Sequence, residues 1–150
     1  NLPKRFDVSF INSDSKAEHV YMLHRALFGS LERFVGILIE HYSGDFPVWL
    51  SLEAVRVMAV SDKVHDYAGK VVETLEASGV RATADLRNEK ISYKVREHSV
   101  AKVPVQFAVG QRELENRTVA IRRLGSKRQE VMSLDDAVST LKSEIRNRGT

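Results

Sequence analysis

Two short stretches of this chain hold residues whose types and spacing could do chemistry. In Gly29-Ser30-Leu31-Glu32-Arg33 a glycine turn feeds a helix with an arginine in its first turn. Free amides at a helix start and a nearby guanidinium both favour phosphate, and a glycine lets a flat ring approach the backbone. The same five residues also read as a plain helix start carrying a Glu32/Arg33 surface pair. The second stretch, Asp85-Leu86-Arg87-Asn88-Glu89-Lys90, follows a predicted strand and opens a basic helix with Lys94 and Arg96. There Asn88 could hydrogen-bond a base edge while Arg87 and Lys90 hold phosphates, the division of labour usual in nucleic-acid sites. An Asn-containing helix cap flanked by surface charge explains the residues equally well.

Other chemistries find little support. His19, His24, His41, His65 and His98 include no i, i+4 pair of the kind that binds zinc on a helix. On this pattern a lone His24 on a strand reads more readily as a structural residue than as a ligand. The chain has no Gly-x-Ser-x-Gly elbow, no Walker loop and no cysteine, which excludes the common hydrolase, P-loop and thiol arrangements.

The elements that must position these residues follow from periodicity and punctuation. His19 to Gly29 reads as a strand, and Ser30 caps a helix whose Leu31, Phe34, Val35, Leu38 and Tyr42 form one buried face. Ser43-Gly44 ends it, and Gly44 to about Glu53 is a linker. Val55 to Val60 is a strand buried on both faces. Ser61 then caps a helix burying Val64, Tyr67, Ala68, Val71 and Leu75, with Gly79 just past its end. Val80, Ala82, Ala84 and Leu86 alternate as a strand, Lys90 to His98 forms the basic helix, and Val103, Val105, Phe107 and Val109 alternate again. A hairpin follows, from Thr118 to Arg123 and near Glu130 to Met132, turning at Gly125-Ser126. Ser133 and Asp136 open a last helix with Leu134, Ala137, Val138, Leu141 and Ile145 on one face. The expected fold is therefore α/β, a mixed sheet of about five strands flanked by helices over 46–150. Residues 1–45 are expected to need a partner from outside the segment, because one or two strands and one helix cannot bury a core of their own.

At 150 residues and 43% hydrophobic, the chain can bury a substantial core. No apolar run approaches the ~20 residues that span a bilayer, so no membrane partner is expected and a cytoplasmic location is the default reading. The chain opens on Asn rather than Met, directly into structured sequence, and reads as an excerpt from something longer. Net charge is +3, yet Arg81 to Arg128 holds twelve Lys and Arg against five Asp and Glu. A local excess of this kind suits a polyanion, because cations placed on phosphates release condensed counterions. It also suits a merely solvated basic face.

The run His24-Arg25-Ala26-Leu27-Phe28-Gly29-Ser30-Leu31-Glu32-Arg33-Phe34-Val35-Gly36 closely resembles motif 3 of the threonyl-tRNA synthetases, which are class II enzymes. Asp85 to Ile91 and Val103-Pro104 to Gly110 are similar to the anticodon-binding domain of the same family. The resemblance covers nearly the whole chain in the same order, and it implies that residues 1–45 are a strand-helix edge at the C-terminal end of the family's antiparallel catalytic domain. Val105-Gln106 departs from the family's usual Tyr-Met, and Gln111-Arg112 from its usual Asp-Lys.

The resemblance implies a ligase that activates threonine with ATP and magnesium and transfers it to tRNA(Thr), working as a homodimer in its full-length form. Arg33 matches the catalytic arginine that contacts ATP, and Gly29 lies beside the nucleotide. His24 matches one of three ligands of a zinc ion that grips the hydroxyl of threonine and so rejects valine; the other two ligands and motifs 1 and 2 would lie upstream, so the isolated chain is expected to be inactive and to bind no cofactor. Asn88, Glu113 and Arg122 fall at positions that resemble base-reading residues for the anticodon loop, with Arg96 on the neighbouring helix and Arg87 and Lys90 alongside. A stand-alone, non-catalytic RNA-binding module derived from such an enzyme is the alternative.

Overall fold

A computed structural model describes residues 2–148. It divides into two compact units, one ending at Gly36 and the other beginning at Ile37.

The first unit starts with a single helical turn, α1 (Leu2–Arg5), and a small antiparallel hairpin of β1 (Ser9–Ile11) and β2 (Ala17–His19), in which Ser9 faces His19. Asn12 shapes its turn: Oδ1 accepts from the amides of Asp14 and Lys16, both at 2.9 Å. The expected strand from His19 to Gly29 does not form beyond His19. A strand exists by pairing, and no described strand pairs with this stretch; Tyr21 and Leu23 are 97% and 94% exposed.

α2 (Leu31–His41) begins where the cap signal placed it. Ser30 Oγ accepts from the amide of Arg33 at 3.4 Å, and Phe28 stacks on Phe34 at 4.5 Å across the cap. Gly44, at φ +78°, ends the helix and donates to the carbonyl of Ile39 at 3.0 Å. The apolar face predicted for α2 is present in spacing, but no α2 residue is buried. Burial needs an opposing layer, and a hairpin of three-residue strands is too small to be one.

In the second unit, residues 44–54 have no helix or strand, but they are fastened down. Val48 is buried, and the Arg81 guanidinium donates to the carbonyls of Trp49 and Ser51, both at 2.8 Å. β3 (Val55–Ala59) follows, then a 3-10 turn (Asp62–Val64) and α3 (His65–Ala77). Ser61 precedes that turn in extended conformation without a side-chain cap bond, so its cap role is corrected to a backbone one: Val64 N–H donates to its carbonyl at 3.2 Å. The inward set Val64, Tyr67, Ala68, Val71 and Leu75 is buried as expected.

The remaining elements are β4 (Ala82–Asp85), α4 (Ile91–Val100), β5 (Val105–Val109), α5 (Gln111–Asn116), β6 (Thr118–Arg123), β7 (Gln129–Ser133) and α6 (Leu134–Asn147). The short α5 was not expected; it is one turn and a half, too brief for a periodicity signal. The sheet order is β4-β3-β5-β6-β7, parallel through the first three strands and antiparallel through the last two. Ser133 caps α6 by accepting from the amide of Asp136 at 3.1 Å.

Side-chain parity divides the sheet. Val55, Val57, Phe107, Val119 and Ile121 join Val71 and Leu75 of α3 and Ala137, Val138 and Leu141 of α6 in one core. Met58, Gln106, Ala108, Ala120 and Arg122 point to the opposite face, where α4 is the helix that packs on β3 and β5. The expected inward face of β4 is corrected at its far end: Leu86 is 41% exposed, whereas Asp85 is buried.

Candidate nucleic-acid interface

On the α4 face, the sheet surface of β5, β6 and β7 is left open beside the helix. The resulting concavity, about 420 Å³, is lined by Ile91, Ser92 and Val95 of α4, Gln106 and Ala108 of β5, Arg122 of β6, and also by Glu113 and Gln129. Val60, just past β3, also lines it, so it opens toward the carboxyl ends of the parallel strands, where ligands of open α/β sheets collect.

Each polar group here is held by a different device. Arg122 stands between Gln106 and Gln129 in cross-strand register, which places the three side chains in one row. Glu113, in the first turn of α5, accepts the Gly110 amide on Oε2 at 2.9 Å, leaving Oε1 for another donor. Its charge and the burial of the ring raise the Tyr67 hydroxyl above its ordinary pKa, burial being the larger cause and Arg117 opposing. Gln106 Nε2 donates to Ser99 Oγ at 3.0 Å, and its Oε1 is buried without a partner.

The concavity thus brings together Glu113 and Arg122, and it omits the other four residues of the expected set. Asn88 and Lys90 are exposed immediately before Ile91, at the entry to α4, and Arg96 is exposed on that helix. Arg87 belongs to a different cluster. Its guanidinium reaches Asp85 Oδ2 at 2.6 Å and Glu97 Oε1 at 3.1 Å. Asp85, in turn, accepts from His98 Nε2 at 2.8 Å and lies 3.6 Å from Lys94 Nζ. Lys94 is fully buried and donates to the carbonyls of Ala59 at 2.9 Å and Asp85 at 3.1 Å. The Arg87 bonds hold the Asp85 carboxyl far below the usual carboxylate range against the opposing effect of burial, with His98 and Lys94 adding to the shift.

The basic excess between Arg81 and Arg128 is therefore only partly available to a ligand. Arg87, Lys94, Lys102, Arg123 and Arg128 are paired with carboxylates. Lys90, Arg96, Arg112, Arg117, Arg122 and Lys127 have no ion-pair partner among the described residues, and these are the cations a polyanion can use. Sequence reasoning missed Gln106 as a site residue, though a glutamine inside a valine-rich buried strand, at the parity of Arg122, was a readable signal. It also missed the Asp85 cluster, because nothing local distinguishes a buried lysine from a solvated one.

Comparison with known proteins identifies the domain. Residues 54–144 match the family model described as the anticodon binding domain. The chain belongs to the anticodon-binding domain family. Residues 1–42 match a second model, the class II tRNA synthetase core domain for G, H, P, S and T. The chain is 54% identical over 143 residues to a threonine-tRNA ligase of Paramagnetospirillum magneticum and 56% identical over 144 residues to one of Novosphingobium aromaticivorans, 95% of this chain in both cases. It spans 22% of the length of either relative. A crystal structure of the RNA binding domain of threonyl-tRNA synthetase from Cryptosporidium parvum Iowa II superposes with a TM-score of 0.74 at 28% identity, over 95% of this chain and 36% of that one. The groove of this anticodon-binding domain is where Glu113 and Arg122 converge.

In the first unit, Gly29 takes φ +67°, the left-handed turn expected there, and Arg33 is exposed in the first turn of α2. Ser30 Oγ donates to Glu32 Oε2 at 2.7 Å, which lowers the Glu32 pKa. His24 lines an open concavity of about 430 Å³ with His19, Tyr21 and Lys4. Among the described residues no three His, Cys, Asp or Glu converge. His24 does not make a zinc site by itself.

Proposed function

We propose that this chain is the C-terminal portion of a threonine-tRNA ligase, in which residues 46–150 grip the anticodon loop of tRNA(Thr). Residues 1–45 would contribute motif 3 to a class II active site that joins threonine to ATP and then to tRNA. The observation that carries the reading is the groove beside α4, which sets the Arg122 guanidinium and the Glu113 carboxylate against one open sheet surface. A guanidinium fork matches the acceptor edge of guanine, and a carboxylate or amide accepts from base amines, so unstacked loop bases can be read there. Asn88 reads a further base edge at the entry to α4, and Lys90 and Arg96 hold the loop phosphates. Arg87, committed to Asp85 and Glu97, acts by fixing the loop that carries Asn88.

In the whole enzyme Arg33 would contact the nucleotide with Gly29 beside it, magnesium would accompany ATP, and His24 would supply one zinc ligand among others from outside this chain. A homodimer in the cytosol completes the proposal. The match of residues 1–42 to the class II core favours an enzyme over a stand-alone RNA-binding module, which has no use for that segment.

The test is binding of a tRNA(Thr) anticodon stem-loop. Arg122→Ala should weaken it by about 1–3 kcal/mol. An unchanged affinity refutes the assignment of the groove.

A further inference from the structure

Gln106 sits on the central strand β5, 1% exposed, in a stretch where every other side chain is alanine, valine or phenylalanine. Its amide orientation follows from its neighbour. Ser99 Oγ donates its only hydrogen to the carbonyl of Val95 at 2.7 Å, so toward Gln106 it can act only as an acceptor. The nitrogen of Gln106 must therefore face Ser99, at 3.0 Å, and the carbonyl oxygen faces the other way. That oxygen is buried with no donor. Buried acceptors are almost always satisfied, so an orphan calls for an explanation.

The partner it lacks stands on the next strand. Gln106 and Arg122 are direct cross-strand neighbours, a relation that brings Cβ atoms to roughly 5 Å, within easy reach of a guanidinium. Both line the same concavity, and Arg122 has no ion-pair partner among the described residues. An unsatisfied acceptor and an uncommitted five-hydrogen donor thus face each other across one strand pair.

We propose that Gln106 is a positioning residue for Arg122: when a loop base enters the groove, the Gln106 carbonyl accepts one guanidinium N–H and so aims the remaining fork at the base. This rests on the reading of the groove as the anticodon site. A guanidinium on a flexible stem finds a base edge in many orientations, whereas one anchored from behind presents a fixed pair of donors, which is what separates guanine, with two adjacent acceptors, from adenine.

The experiment measures the affinity of the 150-residue chain for a tRNA(Thr) anticodon stem-loop and for the same stem-loop with its loop guanine changed to adenine. The readout is the ratio of the two dissociation constants. Because both RNAs meet one protein sample, the ratio does not depend on the folded fraction. The wild type should prefer guanine by roughly 5- to 150-fold, and Gln106→Met, which installs the residue usual in the family, should lower that preference by about threefold or more. Gln106→Glu, which keeps an acceptor, should retain the preference. Met replaces an unsatisfied polar group with an apolar one of similar shape, so the thermal midpoint should not fall. In the Arg122→Ala background Gln106→Met should add nothing. The proposal is overturned if Gln106→Met keeps the wild-type ratio, or if its effect adds in full to that of Arg122→Ala. If Arg122→Ala itself leaves the ratio unchanged, the reading of the groove fails and this inference with it.

Discussion

A buried ammonium needs a nearby anion, and for Lys94 that anion is Asp85. With Lys94 fully buried and Asp85 close to it, Asp85→Ala leaves a charge in the interior with only the carbonyls of Ala59 and residue 85 to solvate it. The expected loss is about 3–5 kcal/mol in urea denaturation at neutral pH. A loss under 1 kcal/mol would mean that solvent reaches the lysine. The pH dependence has a definite sign. Asp85 is held below its ordinary pKa chiefly by Arg87, so its contribution is fully present above the unfolded value of about 3.9 and is lost as pH falls below it. Asp85→Asn should therefore be less stable at pH 7 and should lose less further stability between about pH 4 and pH 2 than the wild type does. Residue identities here were legible in the sequence, but their allegiances were not. The excess of Lys and Arg between Arg81 and Arg128 read equally as a polyanion-binding surface or a solvated face, and the structure spends Arg87 and Lys94 on Asp85. Local sequence cannot tell a paired cation from a free one.

Elements were readable wherever their ends were chemically marked. α3 stops at a Schellman closure: Gly79, at φ +80°, donates to the carbonyl of Glu76 at 2.9 Å, and Val80 donates to that of Leu75 at 3.0 Å. A methyl group added at Gly79 would meet nothing within 4 Å, so Gly79→Ala isolates the backbone cost of the left-handed region. That cost should be about 1–2 kcal/mol, seen as a lower denaturation midpoint with an unchanged slope. A null effect would show that the helix end relaxes into another closure. Where punctuation was weak or partners were distant, sequence and structure diverge. α5 is too short to display a period, and the strand expected from His19 to Gly29 shortens to its first residue because no described strand pairs with the rest. A strand's sequence records a preference for pairing; the neighbour decides whether it is met.

At the scale of the molecule, the two units differ in what they bury. Every residue of the hydrophobic core lies at Val48 or beyond, whereas α2 buries none of its own. Residues 46–150 keep the core, the Arg81 clamp on the lead-in and the whole groove. This segment should therefore fold cooperatively by itself and bind the anticodon stem-loop with the affinity of the full chain, as calorimetry and RNA titration can check. The salt dependence of that binding separates the available cations from the committed ones. Each phosphate neutralised on a single-stranded loop contributes about −0.7 to the slope of log K against log salt. Lys90→Ala and Arg96→Ala should each flatten the slope by about that amount. Arg87→Ala, which removes a guanidinium already neutralised by Asp85 and Glu97, should leave the slope unchanged while lowering stability. A flattening with Arg87→Ala equal to that with Lys90→Ala would place Arg87 on a phosphate and overturn the division of the basic region into structural and ligand-facing halves.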